Sequence, residues 1–442
     1  MGARDTALQV LIACRTQEAW ANGVLKEYSQ RDRLDRREAA LAALAAHLCY
    51  GVLQNRNRLV FYLKQLLTGK LNQLHPVIRD VLHLGLYQLL FMDKIPQSAA
   101  VNESVGLVKK YCPKQKFAPG LCNAVLRNAV RNADTLRQPV SLEDRYSHPQ
   151  KLIRKLKSYV GQERLEPMLA ANNTTQDMTV QVNTLRISAP ELAQRLAEEG
   201  VQVKPHSWMP DCFCLSGTGD LEKLSAFREG LFYVQDPAAK LSVMCAQLSA
   251  EQPGRVLDCC AAPGGKSFGA AIAMGGKGNI FSCDLYMHKT ALIQNGADRL
   301  GFGVIRVLQQ DATVPHEGWE NSMDCVIADV PCSGYGIIRK KPDIRFKDPD
   351  SMTELPQLQL QILELQASYV KPGGVLMYST CTLVYEENEG VVKTFLEKHP
   401  EFFLEPLVLP DVFPKNTSGM LALVPGQYDT DGFFMARMRR TV

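Results

Sequence analysis

Over residues 1–140 apolar positions recur at three- and four-residue steps. Leu41, Leu44, Leu48 and Val52 make one stripe, and Leu82, Gly85, Leu86, Leu89 and Leu90 another. Such spacing gathers apolar side chains on one face of an α-helix, and each face needs a partner to cover it. Pro96 and Pro113 punctuate the run. Between them Ala99–Lys110 reads as helix, and after Ala118-Pro-Gly a further helix spans Leu121–Asn132, with Leu121, Val125 and Leu126 on one side. Amphipathic helices joined by short links predict an all-α bundle. From Gln138 to Lys157 the chain turns polar, with Pro139, Glu143, Asp144 and His148-Pro149, and reads as a linker.

Beyond it the period changes. Thr179–Asn183, Phe213–Ser216 and Leu231–Val234 are strand-like around a helix at Ala189–Glu199, which predicts a small α+β unit within 141–235. From Asp236 onward strand, Gly-rich turn and helix alternate. Val256–Cys260, Asn279–Asp284, Val304–Asp311, Asp324–Pro331 and Gly374–Thr382 read as strands, with a helix at Leu355–Val370 before the last. That alternation predicts right-handed crossovers and a parallel, doubly wound α/β sheet over 236–442. Ligands of such sheets bind beyond the carboxyl ends of the strands, where Asp258, Asp284, Asp311 and Asp329 fall.

The 442 residues, 46% hydrophobic and 22% charged, suit two or three soluble globular units and exclude a disordered, collagenous or disulfide-scaffold chain. Thirteen scattered cysteines without a framework spacing, and no secretory leader, point to a reducing, cytoplasmic setting. The longest uncharged run, Ala39–Asn55 with its His47 and Gln54, and the short one at Val81–Met92 do not suit a bilayer. Zinc-type Cys pairs do not occur; Cys212-x-Cys214 reads as two strand positions, and no metal is expected. The net charge of +4 divides unevenly: residues 1–140 carry 20 Lys and Arg against 10 Asp and Glu, and the remainder 30 against 36. The basic N-terminal third suits a phosphate-bearing partner.

Two patterns carry candidate chemistry. Asp258-Cys-Cys-Ala-Ala-Pro-Gly-Gly-Lys-Ser lies at a strand-to-helix turn, where glycines let the backbone approach a ligand and a helix N-terminus offers N–H groups. Asp284, 26 residues beyond Asp258, stands where dinucleotide folds place a ribose-binding carboxylate. Cys260 occupies the position where a phosphate-binding P-loop needs its first glycine, and Pro263-Gly-Gly does not make G-x-G-x-x-G, so an ATPase or a dehydrogenase is disfavoured. The second pattern is a pair of cysteines. Asp329-Val-Pro-Cys332-Ser-Gly and Tyr378-Ser-Thr-Cys381-Thr place one thiol past each of two strands. A thiolate is a strong nucleophile where positive charge lowers its pKa. The run Arg339–Lys347, five cations against Asp343, follows Cys332 and suits a polyanionic substrate.

At these residues the sequence resembles the RNA cytosine-C5 methyltransferases that use S-adenosylmethionine. The matching segments are Asp258 to Lys266; Asp329-Val-Pro-Cys-Ser-Gly334 with Arg339 and Pro342-Asp-Ile-Arg-Phe346; and Tyr378-Ser-Thr-Cys-Thr382 with Glu386-Glu-Asn-Glu389. Leu84-Gly-Leu-Tyr-Gln88, Ala99–Val105 and Leu121–Arg127 resemble the NusB-type RNA-binding domain, and the fusion is that of the RsmB (Fmu/Sun) family, which methylates a cytosine of 16S ribosomal RNA. The resemblance implies a multidomain chain. A NusB-like bundle over 1–140 and a small α+β subdomain over 141–235 precede a Rossmann-like class I methyltransferase over 236–442, with a mostly parallel seven-stranded sheet.

The resemblance also implies roles. Cys260, Ala261, Ala262, Pro263, Gly264, Gly265 and Lys266 would line the cofactor. Asp284 would hold the ribose, Asp311 would lie near the adenine, and Asp329 would sit beside the methionine moiety and the base. Cys381 would be the nucleophile and Cys332 the cysteine needed for product release, with Asp329 and Lys266 in the catalytic group. Asp329 would act toward N3 of the cytosine with its pKa raised by an apolar strand. Arg339, Lys340, Lys341 and Arg345 would meet the RNA. The substrate would be 16S ribosomal RNA not yet assembled, met by a monomer away from any membrane. Transfer RNA or 23S RNA is the alternative substrate. A non-enzymatic NusB-like module is the alternative class, and would need a broken cofactor loop or a missing cysteine.

Overall fold

The computed structural model describes residues 2–16, 21, 23–25, 36–175 and 177–442. Lys26, Arg31 and Arg33 of the basic N-terminal third lie outside the described residues. The chain forms two compact units: Met1–Lys155 with Ile338–Pro349, and Leu156–Ile337 with Asp350–Val442.

The first unit is helical. Its main helices are Ala3–Thr16, Arg36–Gln54, Arg56–Leu66, Pro76–Phe91, Gln97–Tyr111 and Ala118–Asn132. Leu48, Val52, Leu82, Leu86, Val125 and Leu126 are buried together as their spacing predicts, whereas Leu41 is exposed. Pro76–Phe91 is buried along most of its length, polar residues included. Arg15 pairs with Asp80 at 3.0 Å, and Arg4 Nε donates to Gln88 Oε1 at 2.6 Å, so these buried groups have partners.

The expected linker at 138–157 is instead helix, at Leu142–Tyr146 and Gln150–Val160. Ser141 caps the first by accepting from Asp144 N at 3.1 Å, and Leu152, Ile153 and Leu156 are buried from the second. The flanking prolines sit outside these helices, so they punctuate the segment without unfolding it.

In the second unit four strands, β1 (Met178–Val182), β2 (Gln202–Pro205), β3 (Cys212–Ser216) and β4 (Phe232–Val234), form an antiparallel sheet in the order β2-β3-β1-β4. Cys212 and Cys214 are positions of β3. The larger sheet contains β5 (Arg255–Asp258), β6 (Asn279–Asp284), β7 (Ile305–Gln309), β8 (Met323–Asp329), β9 (Val370–Thr380), β10 (Phe402–Leu404), β11 (Met420–Leu423) and β12 (Phe433–Arg440). Its path β10-β12-β9-β8-β5-β6-β7 has the expected seven strands, and β11 adds an eighth by pairing with β12. β5 to β9 are mutually parallel; β10 to β12 are antiparallel additions.

Alternation divides the central strands between two cores. Cys325, Ile327, Val375, Met377, Phe433 and Met435 face one layer, and Val326, Ala328, Leu376, Tyr378, Phe434 and Ala436 the other. Strands covered on both faces carry apolar residues at consecutive positions, as Cys325–Ala328 of β8 and Val375–Tyr378 of β9 do, which is why both are plain in the sequence. Among the described residues no helix is long and apolar enough to cross a membrane.

Candidate active site

Because β5, β6, β7, β8 and β9 run parallel, their carboxyl ends share one edge. Asp258 closes β5, Asp284 closes β6 and Asp329 closes β8, while Asp311 follows β7 and Cys381 follows β9. The sequence-predicted carboxylates and cysteines are therefore gathered by topology alone.

The turn after β5 is held by backbone bonds to both neighbours: Cys259 N donates to Ile327 O at 3.1 Å and Ala261 N to Cys283 O at 2.8 Å. Gly264 has φ +108°, a conformation that a side chain disfavours, and the helix Gly265–Ala273 starts immediately after it. Asp258 is fully buried beneath this turn, and Ser267 Oγ donates to its Oδ2 at 2.7 Å. Its Oδ1 has no hydrogen-bond partner. Burial pushes the Asp258 carboxyl up to about 7, against the opposing pull of the Ser267 hydrogen bond and the Lys266 charge.

Asp284 is buried; Tyr286 N donates to its Oδ1 at 3.3 Å, and Lys289 Nζ lies 3.7 Å away. Asp311 accepts both Thr313 N and Thr313 Oγ1 on Oδ1, at 2.8 and 2.7 Å. The turn fits an adenosine cofactor. A Cβ at Gly265 would come within 2.8 Å of Gln235 Nε2, so the backbone runs through a cradle already closed to side chains. The first N–H groups of the following helix lack helical acceptors and suit an anionic or polar ligand.

At the β8 and β9 ends the geometry is tighter. Asp329 and Ser379 are register partners, and Ser379 Oγ donates to Asp329 Oδ1 at 2.6 Å. Lys266 Nζ, from the cofactor turn, reaches Asp329 Oδ2 at 2.6 Å and stands 5.2 Å from the centre of the Phe433 ring. The apolar surroundings expected for Asp329 are corrected here: its side chain is 29% exposed and is held by an ammonium and a hydroxyl. Ser379 has no motif to announce it, since its role depends on the β8–β9 register.

Cys332 Sγ and Cys381 Sγ are 3.2 Å apart, both thiols free and half-buried. The contact with Cys381, then burial, raises the Cys332 thiol well above its ordinary value, with the Glu387 charge adding to it. The surroundings of Cys332 thus disfavour its thiolate. Gly336 N donates to Cys381 O at 2.9 Å, and a Cβ on Gly336 would meet Gly432 O at 2.1 Å, so glycine is required for that approach.

The cationic run itself belongs to the helical unit. Lys340 is exposed, and Arg339 and Lys341 are half-buried. Arg345 is fully buried, its Nη1 donating to the carbonyls of Gln54, Tyr146 and Ser147 at 3.0, 3.3 and 3.4 Å. Its expected role on RNA is thus corrected to a structural one, because a guanidinium spent on carbonyls in the interior is closed to phosphate.

Residues 245–439 match the family model of the 16S rRNA methyltransferase RsmB/F, residues 1–131 that of the NusB family, and residues 148–222 the ferredoxin-like domain of RsmF/B-like methyltransferases. The chain is 35% identical to the probable ribosomal RNA small subunit methyltransferase B of Bacillus subtilis (strain 168), covering 99% of this chain and 98% of that protein. It is 32% identical to the protein of the same description from Synechocystis sp., covering 100% of both. A solved structure, PH0851, matches with a TM-score of 0.79 at 26% identity, covering 99% of this chain and 97% of that one. With a cofactor turn, a Rossmann-like sheet and full-length relatives in agreement, the chain belongs to the RsmB/F family of S-adenosylmethionine-dependent 16S rRNA methyltransferases.

Proposed function

We propose that the chain methylates C5 of a cytosine in 16S ribosomal RNA through a covalent bond between Cys381 and C6. The observation that carries this reading is the 3.2 Å contact of two thiols at adjacent strand ends, together with the Asp329–Lys266 pair at the end of β8. C5 of cytosine is a weak nucleophile, and addition of a thiolate at C6 moves electron density onto it. When bound, S-adenosylmethionine supplies an electrophilic sulfonium methyl group, and the residues that would hold it are Cys260 to Lys266, Asp284, Asp311 and Asp329.

The remaining steps fall to this chain's side chains. Cys381 Sγ bonds to C6, and the C5–C6 π pair moves toward C5 and the ring. Asp329, braced by Ser379, faces N3, and Lys266 shares the proton that stabilises the ring charge there. Once C5 is methylated, its proton passes to a water molecule. The C5–H pair rebuilds the C5=C6 bond, and the C6–S pair returns to Cys381. Cys332, as a thiol, hydrogen-bonds to the sulfur that recovers charge, which eases its departure.

RNA that is not yet assembled is the favoured substrate, because the target base must leave its stack to reach a thiol. We place the enzyme in the cytoplasm as a monomer. Cys381→Ser will lower methyl transfer at least about a thousandfold, while Cys332→Ala will accumulate a covalent protein–RNA adduct visible on denaturing gels. An adduct that needs Cys332 and survives loss of Cys381 would reverse the two roles. Bisulfite sequencing of 16S RNA from cells lacking the protein reads the substrate: a missing methylcytosine in transfer RNA or 23S RNA instead selects the alternative. Failure of the purified chain to retain labelled S-adenosylmethionine would favour a non-enzymatic RNA-binding module.

A further inference from the structure

The cysteine pair is held by a second layer of polar groups. Glu387 lies in the short 3-10 turn Tyr385–Glu387 beyond Cys381, and it is 3% exposed. A carboxylate placed in the interior is unfavourable unless hydrogen-bond donors converge on it. Here two do, on one oxygen. Ser333 N, the amide just after Cys332, donates to Glu387 Oε2 at 2.8 Å, and Gln359 Nε2 donates to the same oxygen at 3.0 Å. Gln359 Nε2 also donates to Pro331 O at 2.8 Å, the carbonyl just before Cys332. The peptide groups on both sides of Cys332 are therefore gripped by a single carboxylate–amide unit.

The same turn is tied to the Cys381 side. Tyr378 Oη donates to Glu387 O at 2.6 Å. The neighbouring Asn388 accepts from Thr380 Oγ1 at 2.6 Å and donates to Thr382 O at 3.0 Å, the residues before and after Cys381. Ser333 Oγ and Thr382 Oγ1 close the ring at 2.7 Å. Glu387 and Asn388 thus stand between the two loops, which the bond from Gly336 N to Cys381 O also joins.

We propose that Glu387, working through Gln359 and Ser333 N, is a positioning residue that holds the Cys332 thiol against Cys381 for the release step. This rests on the two-cysteine reading above. Glu387 reaches no reacting atom; it fixes the loop that carries one. Displacing that loop separates the thiols, and a shift of about 1 Å costs on the order of a hundredfold in a step that depends on the contact. Formation of the Cys381–C6 bond needs no contact from Cys332 and is spared.

The test uses the full chain with Glu387→Gln, which keeps the shape and removes the charge, and Gln359→Met, which leaves Glu387 in place but releases Pro331 O. Retention of labelled S-adenosylmethionine verifies that each variant is folded. The expected result is a fall in kcat of about ten- to a hundredfold with KM for RNA falling alongside it, so that kcat/KM stays within about twofold, and accumulation of the covalent RNA adduct in a chain whose two cysteines are intact. A variant that merely loosened the fold would raise KM and lose adduct and turnover together. Wild-type turnover in both variants, or loss of the adduct while S-adenosylmethionine is retained, overturns the proposal. Should Glu387→Gln fail to retain S-adenosylmethionine, Gln359→Met decides alone by the same criteria. Cys332→Ala is the control for the underlying reading: if it gives no adduct, the release role of Cys332 fails, whatever Glu387 does.

Discussion

At the scale of single residues the most consequential environment belongs to Asp258. It is buried, one oxygen is bonded to Ser267, the other has no partner, and its carboxyl is raised from 3.8 to about 7. A carboxyl whose folded pKa lies above its unfolded one stabilises the fold fully below the unfolded value, and that contribution is lost as pH rises through the folded one. Stability should therefore decline between about pH 4 and pH 7, by an amount on the order of 4 kcal/mol from this group alone. Asp258→Asn removes the titration. Thermal melts of the two proteins without cofactor across that range should converge at low pH, where the carboxyl is neutral like the amide, and diverge as pH rises toward 7, and parallel curves would refute the assignment. Gly336→Ala is the steric counterpart. Its Cβ would meet the backbone oxygen of Gly432, which cannot yield as a flexible side chain could, so we expect a loss of about 2–4 kcal/mol in chemical denaturation. The residues of the cofactor turn and both cysteines were legible in the sequence, because their chemistry is written in contiguous segments. Ser379 and Gln359 were not, since each becomes functional only through a partner distant in the chain.

At the scale of elements legibility followed the clarity of the period. The stripes from Leu41 to Val52 and from Leu82 to Leu90 announced helices because the apolar residues repeat over several turns. β8 and β9 announced themselves by their apolar cores, Cys325–Ala328 and Val375–Tyr378. β2 did not, as an exposed, polar edge strand of four residues. β12 was missed for another reason: the buried run Phe433–Met438 contains Arg437, whose charge reads as surface. Within the fold Arg437 is fully buried, with Nε on Glu405 at 2.7 Å and Nη1 on Cys245 O at 2.5 Å. Arg345 misled in the same way. Burial lowers its pKa from 12.5 to about 9, and its carbonyl acceptors tie the segment 338–349 to the ends of two helical stretches. Removing it by Arg345→Ala strands three buried carbonyls. The expected outcome is a loss of about 2–4 kcal/mol in the unfolding of the helical unit, with S-adenosylmethionine affinity unchanged. An Arg345→Ala protein of normal stability but weakened RNA binding would restore the phosphate role that burial denies it.

At the scale of the whole molecule the two compact units sharpen the charge division. The helical unit, with residues 338–349 counted in it, holds 29 Lys and Arg against 14 Asp and Glu, while the second unit holds 21 against 32. The cationic run that seemed a basic island in an acidic domain is thus part of the basic unit, and the catalytic unit is acidic throughout its average. A protein that neutralises phosphates releases counterions, so the slope of affinity against salt counts its phosphate contacts, at about 0.7–0.9 per contact. That slope should therefore reside in the helical unit. Lys114, Lys116 and Arg127 are exposed there, and Phe117 beside the two lysines is 58% exposed. Replacing the three cations by alanine should weaken RNA binding across sequences and lower the salt slope by about 2, whereas Lys393→Ala in the acidic unit should leave it unchanged. Retention of S-adenosylmethionine, whose expected partners are the turn after β5 and single carboxylates, should hardly vary with salt in either protein. An unchanged slope in the triple variant would move the RNA contact off this face of the basic unit.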